Sequence, residues 1–187
     1  MGELFDKVEK FVKESFIKLG QEIQLKHFER TVYWIKELNP KADEALIISA
    51  IAHDIERAFR SKDMLQRRAE AKFTDIKFIR PHEEKGAEII ADFLKKERAD
   101  LKVIEKVKML ISRHEEGGND EQNMLKDADS ISFFENNIPS FLKKVQEDGK
   151  ENTRQKFDFM YNRITLKKAK DLAKPFYDKA VKELEKI

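Results

Sequence analysis

The sequence predicts an all-α protein, built as a single helical-bundle domain over residues 1–187. Three observations lead there. Only 6 Gly and 4 Pro punctuate 187 residues, so few points break or bend a helix. Between them, apolar side chains recur every three or four positions, the helical period. No run alternates apolar and polar in the manner of a strand, and there is no repeat or low-complexity segment.

Leu4, Val8, Phe11, Val12 and Leu19 form the stripe of a first helix, which Gly20 ends. Ile23, His27, Thr31, Trp34 and Leu38 form a second, stopped by Asn39-Pro40. A third is expected from about Asp43 to Phe59, and a weaker one from Met64 to about Phe73. Pro81 suits the first turn of a helix running through Ile89, Ile90 and Phe93. Ile104, Val107, Ile111 and His114 mark the next, closed by Gly117-Gly118. Leu125 to Asn136 and Ser140 to about Gln146 follow. A long stretch from about Thr153 contains Pro175, which should start a new helix or kink the old one.

Composition excludes several classes. The chain has 38 Lys+Arg against 36 Asp+Glu, so its net charge of +2 gives no strong field toward nucleic acid or an anionic membrane. Its 0 Cys exclude disulfide frameworks, thiolate catalysis and iron–sulfur clusters. The apolar runs are too short to span a bilayer. The first twenty residues are threaded with Lys and Glu, unlike a signal peptide. The expected location is the cytoplasm.

The third helix carries the first chemical signal. Ala45 to Ala52 is apolar nearly all round, which predicts a helix buried on every side. It runs into His53-Asp54, an imidazole and a carboxylate that are costly indoors unless paired or bound to a cation. The chain has only 4 His. His27 lies on the apolar stripe of its helix, His114 follows Ile111 by one turn, and Asp129 lies between Leu125 and Phe133 on another apolar face. A single histidine on such a face is ordinarily a hydrogen-bonded core residue. Several of them with buried carboxylates have a simpler common cause in a divalent cation, which uses neutral imidazole and neutralises carboxylate. Asp127, two positions from Asp129, should point elsewhere.

His27, then His53-Asp54, then Asp129, on successive helices, resembles the H…HD…D signature of the HD-domain superfamily of metal-dependent phosphohydrolases. The surroundings are similar too. His27-Phe28-Glu29-Arg30-Thr31 resembles the family's H-x-x-R-[VT], and Ala52-His53-Asp54-Ile55 its A-H-D-[IL]. Pro81-His82 through Gly86-Ala87-Glu88-Ile89 resembles the P-H-x-x-x-G-A-x-I element of two-metal members, and His114 their next histidine. Lys126-Asp127-Ala128-Asp129 resembles the closing D-A-D, whose second Asp is the ligand. The motif core covers about residues 27–131 and leaves the C-terminal helices, 140–187, outside it. Where the family often has H-D-I-G-K, this chain reads His53-Asp54-Ile55-Glu56-Arg57, with Arg57 at the lysine position. The G-Y-P triplet of the cyclic-di-GMP-cleaving branch is absent, so that substrate is not expected.

The resemblance implies an HD-type helical bundle and a phosphohydrolase that cleaves a phosphomonoester or phosphodiester, with a nucleotide as the expected substrate. In its two-metal form His27, His53, Asp54 and Asp129 hold one cation, His82 and His114 hold the second, and Asp54 bridges. Mixed imidazole and carboxylate ligands suit Mn, Fe, Co, Ni or Zn better than Mg. Arg30 and Arg57 share a helix face with His27 and His53 and are the candidates for phosphate contact, ahead of Lys85 and Arg113. Glu56 is either a general base or an ion-pair partner of a nearby arginine. Arg163 or Tyr161 would be the contribution of the C-terminal stretch. The alternatives are a one-metal nucleotidase with His82 and His114 binding phosphate, an HD-type diiron oxygenase, and a nucleotide-binding module without turnover. Membrane and nucleic-acid partners are not expected, and the oligomeric state is left open.

Overall fold

Every element among the described residues is helical, and no strand occurs among them. The structure is a computed structural model that describes residues 2–21, 23–61 and 76–187, with residues 23 and 76–78 described in their backbone only. The expected helix from Met64 to Phe73 lies outside the described residues. The elements are α1 (Glu3–Ile17), α2 (Ile23–Leu38), α3 (Glu44–Ala52), a 3-10 turn (Ile55–Phe59), α4 (Ile76–Lys96) and α5 (Leu101–Ile111). They continue with α6 (Asp120–Asn136), α7 (Ile138–Lys143), α8 (Val145–Asp148), α9 (Lys150–Asn162) and α10 (Lys167–Glu185). None is long and apolar enough to cross a membrane.

The buried helix is α3. Asp43 caps it by accepting the Leu46 N–H at 3.0 Å. Leu46, Ile48, Ala50, Ile51 and Ala52 are all buried among α1, α2, α5 and α6. Each fully buried Leu or Ile contributes about 1.5–3 kcal/mol, which fixes the helix end that carries His53. α2 lies along α6, and α4 packs on α5. A second apolar cluster, around Phe133, Phe134, Phe157, Met160 and Leu184, joins α7 to α10 onto the far end of α6.

The structure differs from the sequence expectation at five places. The third helix stops at Ala52 instead of Phe59. The His53 ring takes the Ala50 carbonyl at 2.9 Å, and Asp54 leaves helical geometry at φ −102°, ψ 16°. Pro81 falls inside α4, which begins at Ile76, and not in its first turn. α6 starts earlier than Leu125, at a reciprocal cap: Asn119 accepts the Gln122 N–H, and Gln122 accepts the Asn119 N–H. Gly117, at φ +81°, makes the turn before it in a conformation that favours glycine. Pro175 lies inside α10. The chain breaks earlier, between α9 and α10, where the buried Asp127 carboxylate accepts the N–H groups of Thr165 and Leu166. The stretch expected as one helix from Ser140 to Gln146 is the pair α7 and α8.

Candidate metal centre

Four imidazoles form a continuous chain at the meeting point of α2, α4, α6 and the ends of α3 and α5. Ring centroids are 5.4 Å apart for His27 and His53, 5.3 Å for His53 and His114, and 5.3 Å for His82 and His114. All four are buried. Asp54, 2% exposed, and Asp129, 6% exposed, lie among them.

Each ring is braced at Nδ1. His53 and His114 sit just past the ends of α3 and α5, and each donates to a carbonyl three residues back, Ala50 at 2.9 Å and Ile111 at 2.8 Å. A carbonyl only accepts, so both carry the proton on Nδ1. His82 donates to Glu56 Oε2 at 2.6 Å. His27 meets Ser132 Oγ at 2.8 Å, and that hydroxyl donates onward to the His27 carbonyl at 2.7 Å. The hydroxyl proton is thus committed, and His27 Nδ1 is the donor.

That bracing leaves every Nε2 facing the carboxylates. His27 Nε2 is 3.0 Å from Asp129 Oδ1, and His53 Nε2 is 3.4 Å from the same oxygen. His82 Nε2 is 3.0 Å from Asp54 Oδ1 and His114 Nε2 is 3.8 Å from it. The buried Nε2 atoms of His53 and His114 have no hydrogen-bond partner. A neutral imidazole with Nδ1–H offers only a lone pair at Nε2, which repels a carboxylate oxygen. A cation between them turns that repulsion into ligation. The donor set therefore fits a metal. Ligand atoms of His27, His53 and Asp54 lie within 4.8 Å of one another, and so do those of Asp54, His82 and His114. Asp54 belongs to both groups.

The electrostatics have the same shape. Burial works against the charge on Asp54, but the Arg57 guanidinium and the imidazoles around it hold its carboxyl well below the usual range. Burial likewise opposes charge on Asp129, and Arg163, His27 and His53 hold it well below as well. Burial disfavours the charged forms of His53 and His82, yet the surrounding carboxylates outweigh it and raise both.

Of the other expected residues, Arg57 reaches the centre, with Nη2 2.9 Å from Asp54 Oδ2 and its side chain 36% exposed. Arg30 is placed elsewhere. Its Nε donates to Glu135 Oε2 at 2.7 Å, and its guanidinium lies 3.8 Å from the Tyr33 ring. Trp34 Nε1 donates to the same Glu135 oxygen at 2.9 Å, so an aromatic and acidic surface on α2 and α6 holds the arginine. Sharing a helix face with His27 was not enough to bring it inward. We expect Arg30→Ala to cost under about 1 kcal/mol of stability and to leave the metal content measured by elemental analysis unchanged. Glu56, 2% exposed, stands behind His82 and also accepts from Arg60 Nε at 2.8 Å. It is an orienting partner of His82 in this structure. Lys85 pairs with Glu88 at 3.2 Å, and Arg113 with Glu116 at 3.3 Å, both outside the centre. Tyr161 stacks on Tyr177 at 4.3 Å in the second apolar cluster.

Arg163, named with Tyr161 for the C-terminal stretch, lies beside Asp129, and Lys156 and Glu83 carried little sequence signal. Arg163, at the end of α9, donates to Asp129, to Glu115 and, at 2.8 Å from Nε, to Ser130 Oγ. Against the cost of burial, Arg163 draws the Glu115 carboxyl down to about 2. Lys156, on the face of α9 near Arg163 and Glu115, is pushed down to about 8, chiefly by burial. Glu83 is buried beside His82 and accepts the Glu115 N–H at 2.7 Å, tying α4 to the turn that bears His114.

A family model described as a domain of unknown function (DUF4202) matches residues 9–175. The chain belongs to this family. The DUF4202 match spans all six candidate ligands and Arg163, so the centre and its C-terminal support fall within one family unit. Comparison with curated proteins and with solved structures finds no match.

Proposed function

We propose that this chain is a metal-dependent phosphohydrolase of the HD-domain type, acting on a phosphomonoester or phosphodiester, with a nucleotide as the expected substrate. The observation that carries the reading is the common aim of the four imidazoles: each is held from behind at Nδ1 and presents Nε2 to the carboxylates Asp54 and Asp129. That is how protein ligands to a catalytic cation are oriented. The ordered resemblance of His27, His53-Asp54, His82, His114 and Asp129 to the HD pattern supplies the reaction class.

His27, His53, Asp54 and Asp129 would hold one cation, and His82, His114 and Asp54 a second, with Mn, Fe, Co, Ni or Zn the fitting metals. When bound, such cations supply an acidified water and a clamp on phosphate oxygens. The membership of Asp54 in both ligand groups favours two ions over one. Arg57, partly exposed and already beside Asp54, offers a planar guanidinium to phosphate oxygens from outside the ligand set. Arg163 and Glu115 hold Asp129 and the His114 turn from the opposite side.

The test is phosphate release from a panel of nucleotide monoesters and diesters by stripped protein resupplied with Mn, Fe, Co, Ni, Zn or Mg in turn. Release with at least one transition metal and none by the stripped form is expected. No release with any metal overturns the hydrolase reading, and oxygen consumption with iron would assign the centre to oxygenase chemistry. Within that assay, Arg57→Ala should lower kcat/KM by about 2–4 kcal/mol, roughly thirty- to a thousandfold, at unchanged metal content. Arg30→Ala should leave kcat/KM near normal, because Glu135 already holds that guanidinium.

A further inference from the structure

The two oxygens of Asp129 have different neighbours. Oδ1 faces the imidazoles, 3.0 Å from His27 Nε2 and 3.4 Å from His53 Nε2. Oδ2 is taken by Arg163 Nη2. The guanidinium is not free to turn away. Its Nε donates to Ser130 Oγ at 2.8 Å, its Nη1 to Glu115, and its side chain is 7% exposed. The backbone behind it is anchored as well, since Asp127 on α6 accepts the N–H groups of Thr165 and Leu166 just after Arg163. A planar fork with three fixed acceptors holds a carboxylate in one rotation.

We infer that Arg163 is a positioning residue that reserves one oxygen of Asp129 for itself, so that Asp129 offers a cation a single oxygen and a coordination position stays open for a substrate oxygen. The inference rests on the metal-centre reading above and adds to it. A carboxylate free to turn would chelate a cation with both oxygens and close that position, and catalytic sites are distinguished from structural ones by keeping it open. Removing the guanidinium should therefore strengthen cation binding, through the second oxygen and through the loss of a positive charge nearby, while making the centre a poorer host for substrate. The expectation is opposite in sign to that for a merely structural arginine, whose loss would loosen the ligand and weaken binding.

The experiment is titration of the stripped protein with Co²⁺, followed by binding isotherm and visible absorption. Arg163→Gln should bind Co²⁺ more tightly than wild type, by about tenfold from the removed nearby charge, with weaker absorption, as higher coordination at Co²⁺ gives. Arg163→Lys, which keeps charge but not the fork, should move the same way by less, and it decides the matter alone if Arg163→Gln does not fold. Arg154→Ala is the control. It removes a cation of α9 that pairs with Asp158 and touches neither Asp129 nor Arg163, and it should leave affinity and spectrum as in wild type. Unchanged or weakened binding in the Arg163 variants, or an equal change in Arg154→Ala, overturns the inference. Wild-type protein that binds no Co²⁺ at all would instead sink the metal-centre reading beneath it.

Discussion

Asp54→Ala is expected to abolish phosphate release and to strip both cation positions, whereas His82→Ala and His114→Ala should each remove one cation and leave the other. The reason is position. One Asp54 oxygen lies 3.0 Å from His82 Nε2, and the other lies 3.6 Å from His53 Nε2, so this carboxylate stands between the two halves of the centre. Its loss removes a shared ligand and also leaves Arg57 without its partner at 2.9 Å. Uncompensated imidazoles and a guanidinium then face one another around Asp129 alone. Elemental analysis of the purified variants reads the result directly. Retention of two ions per chain in Asp54→Ala would falsify the bridging role. Full occupancy in both histidine variants, with only KM raised, would favour a single ion and a phosphate-binding role for His82 and His114.

Removal of metal should have the second large effect, on stability. A cation that binds the folded chain at a concentration a hundredfold above its Kd adds about 2.7 kcal/mol. For a domain of this size each kcal/mol moves Tm by about 2–4 °C, so stripping should lower Tm by about 5–10 °C and resupply should restore it. The stripped chain should still fold, because α3 and its neighbours bury an apolar core that does not depend on the centre. Calorimetry with and without chelator measures this. An unchanged Tm together with no metal in protein purified without chelator would return the four histidines to a hydrogen-bonded core cluster.

The parts of the fold legible in the sequence were those with an amphipathic period. α2 ends where Asn39-Pro40 predict, because its stripe is regular and its stop signal local, whereas α1 stops at Ile17 and leaves Leu19 exposed in the turn at Gly20. The break at His53-Asp54 was not legible, since it turns on the His53 ring meeting the Ala50 carbonyl while the apolar pattern runs on through Ile55. The cap at Asn119 and Gln122 is a local signal, but the first turn of α6 that follows it is polar and carries no stripe. Five of the candidate ligands stood out because polar side chains on faces that must be buried call for partners, and His82 came from the resemblance alone. Arg163 had no such signal. It meets Asp129 across 34 residues, and only the docking of α9 and α10 on α6 brings it there. Arg30 shows the converse, because a shared helix face does not specify direction when Glu135 and two aromatic rings compete for the guanidinium.

The way the imidazoles are braced has a consequence for the order of assembly. His53 and His114 are aimed by carbonyls three residues away, so a helix end is enough to point each of them. His82 needs Glu56, 26 residues distant, and His27 needs Ser132, 105 residues distant. Closing longer loops costs more entropy, and contacts of that separation form late in a folding chain. Two rings can thus acquire their aim from local structure, but the complete constellation requires α2 to have met α6. A nascent chain holds stray imidazoles in water; the finished ligand cage comes into being only once α2 has closed on α6, which makes tight metal capture a signature of the folded molecule.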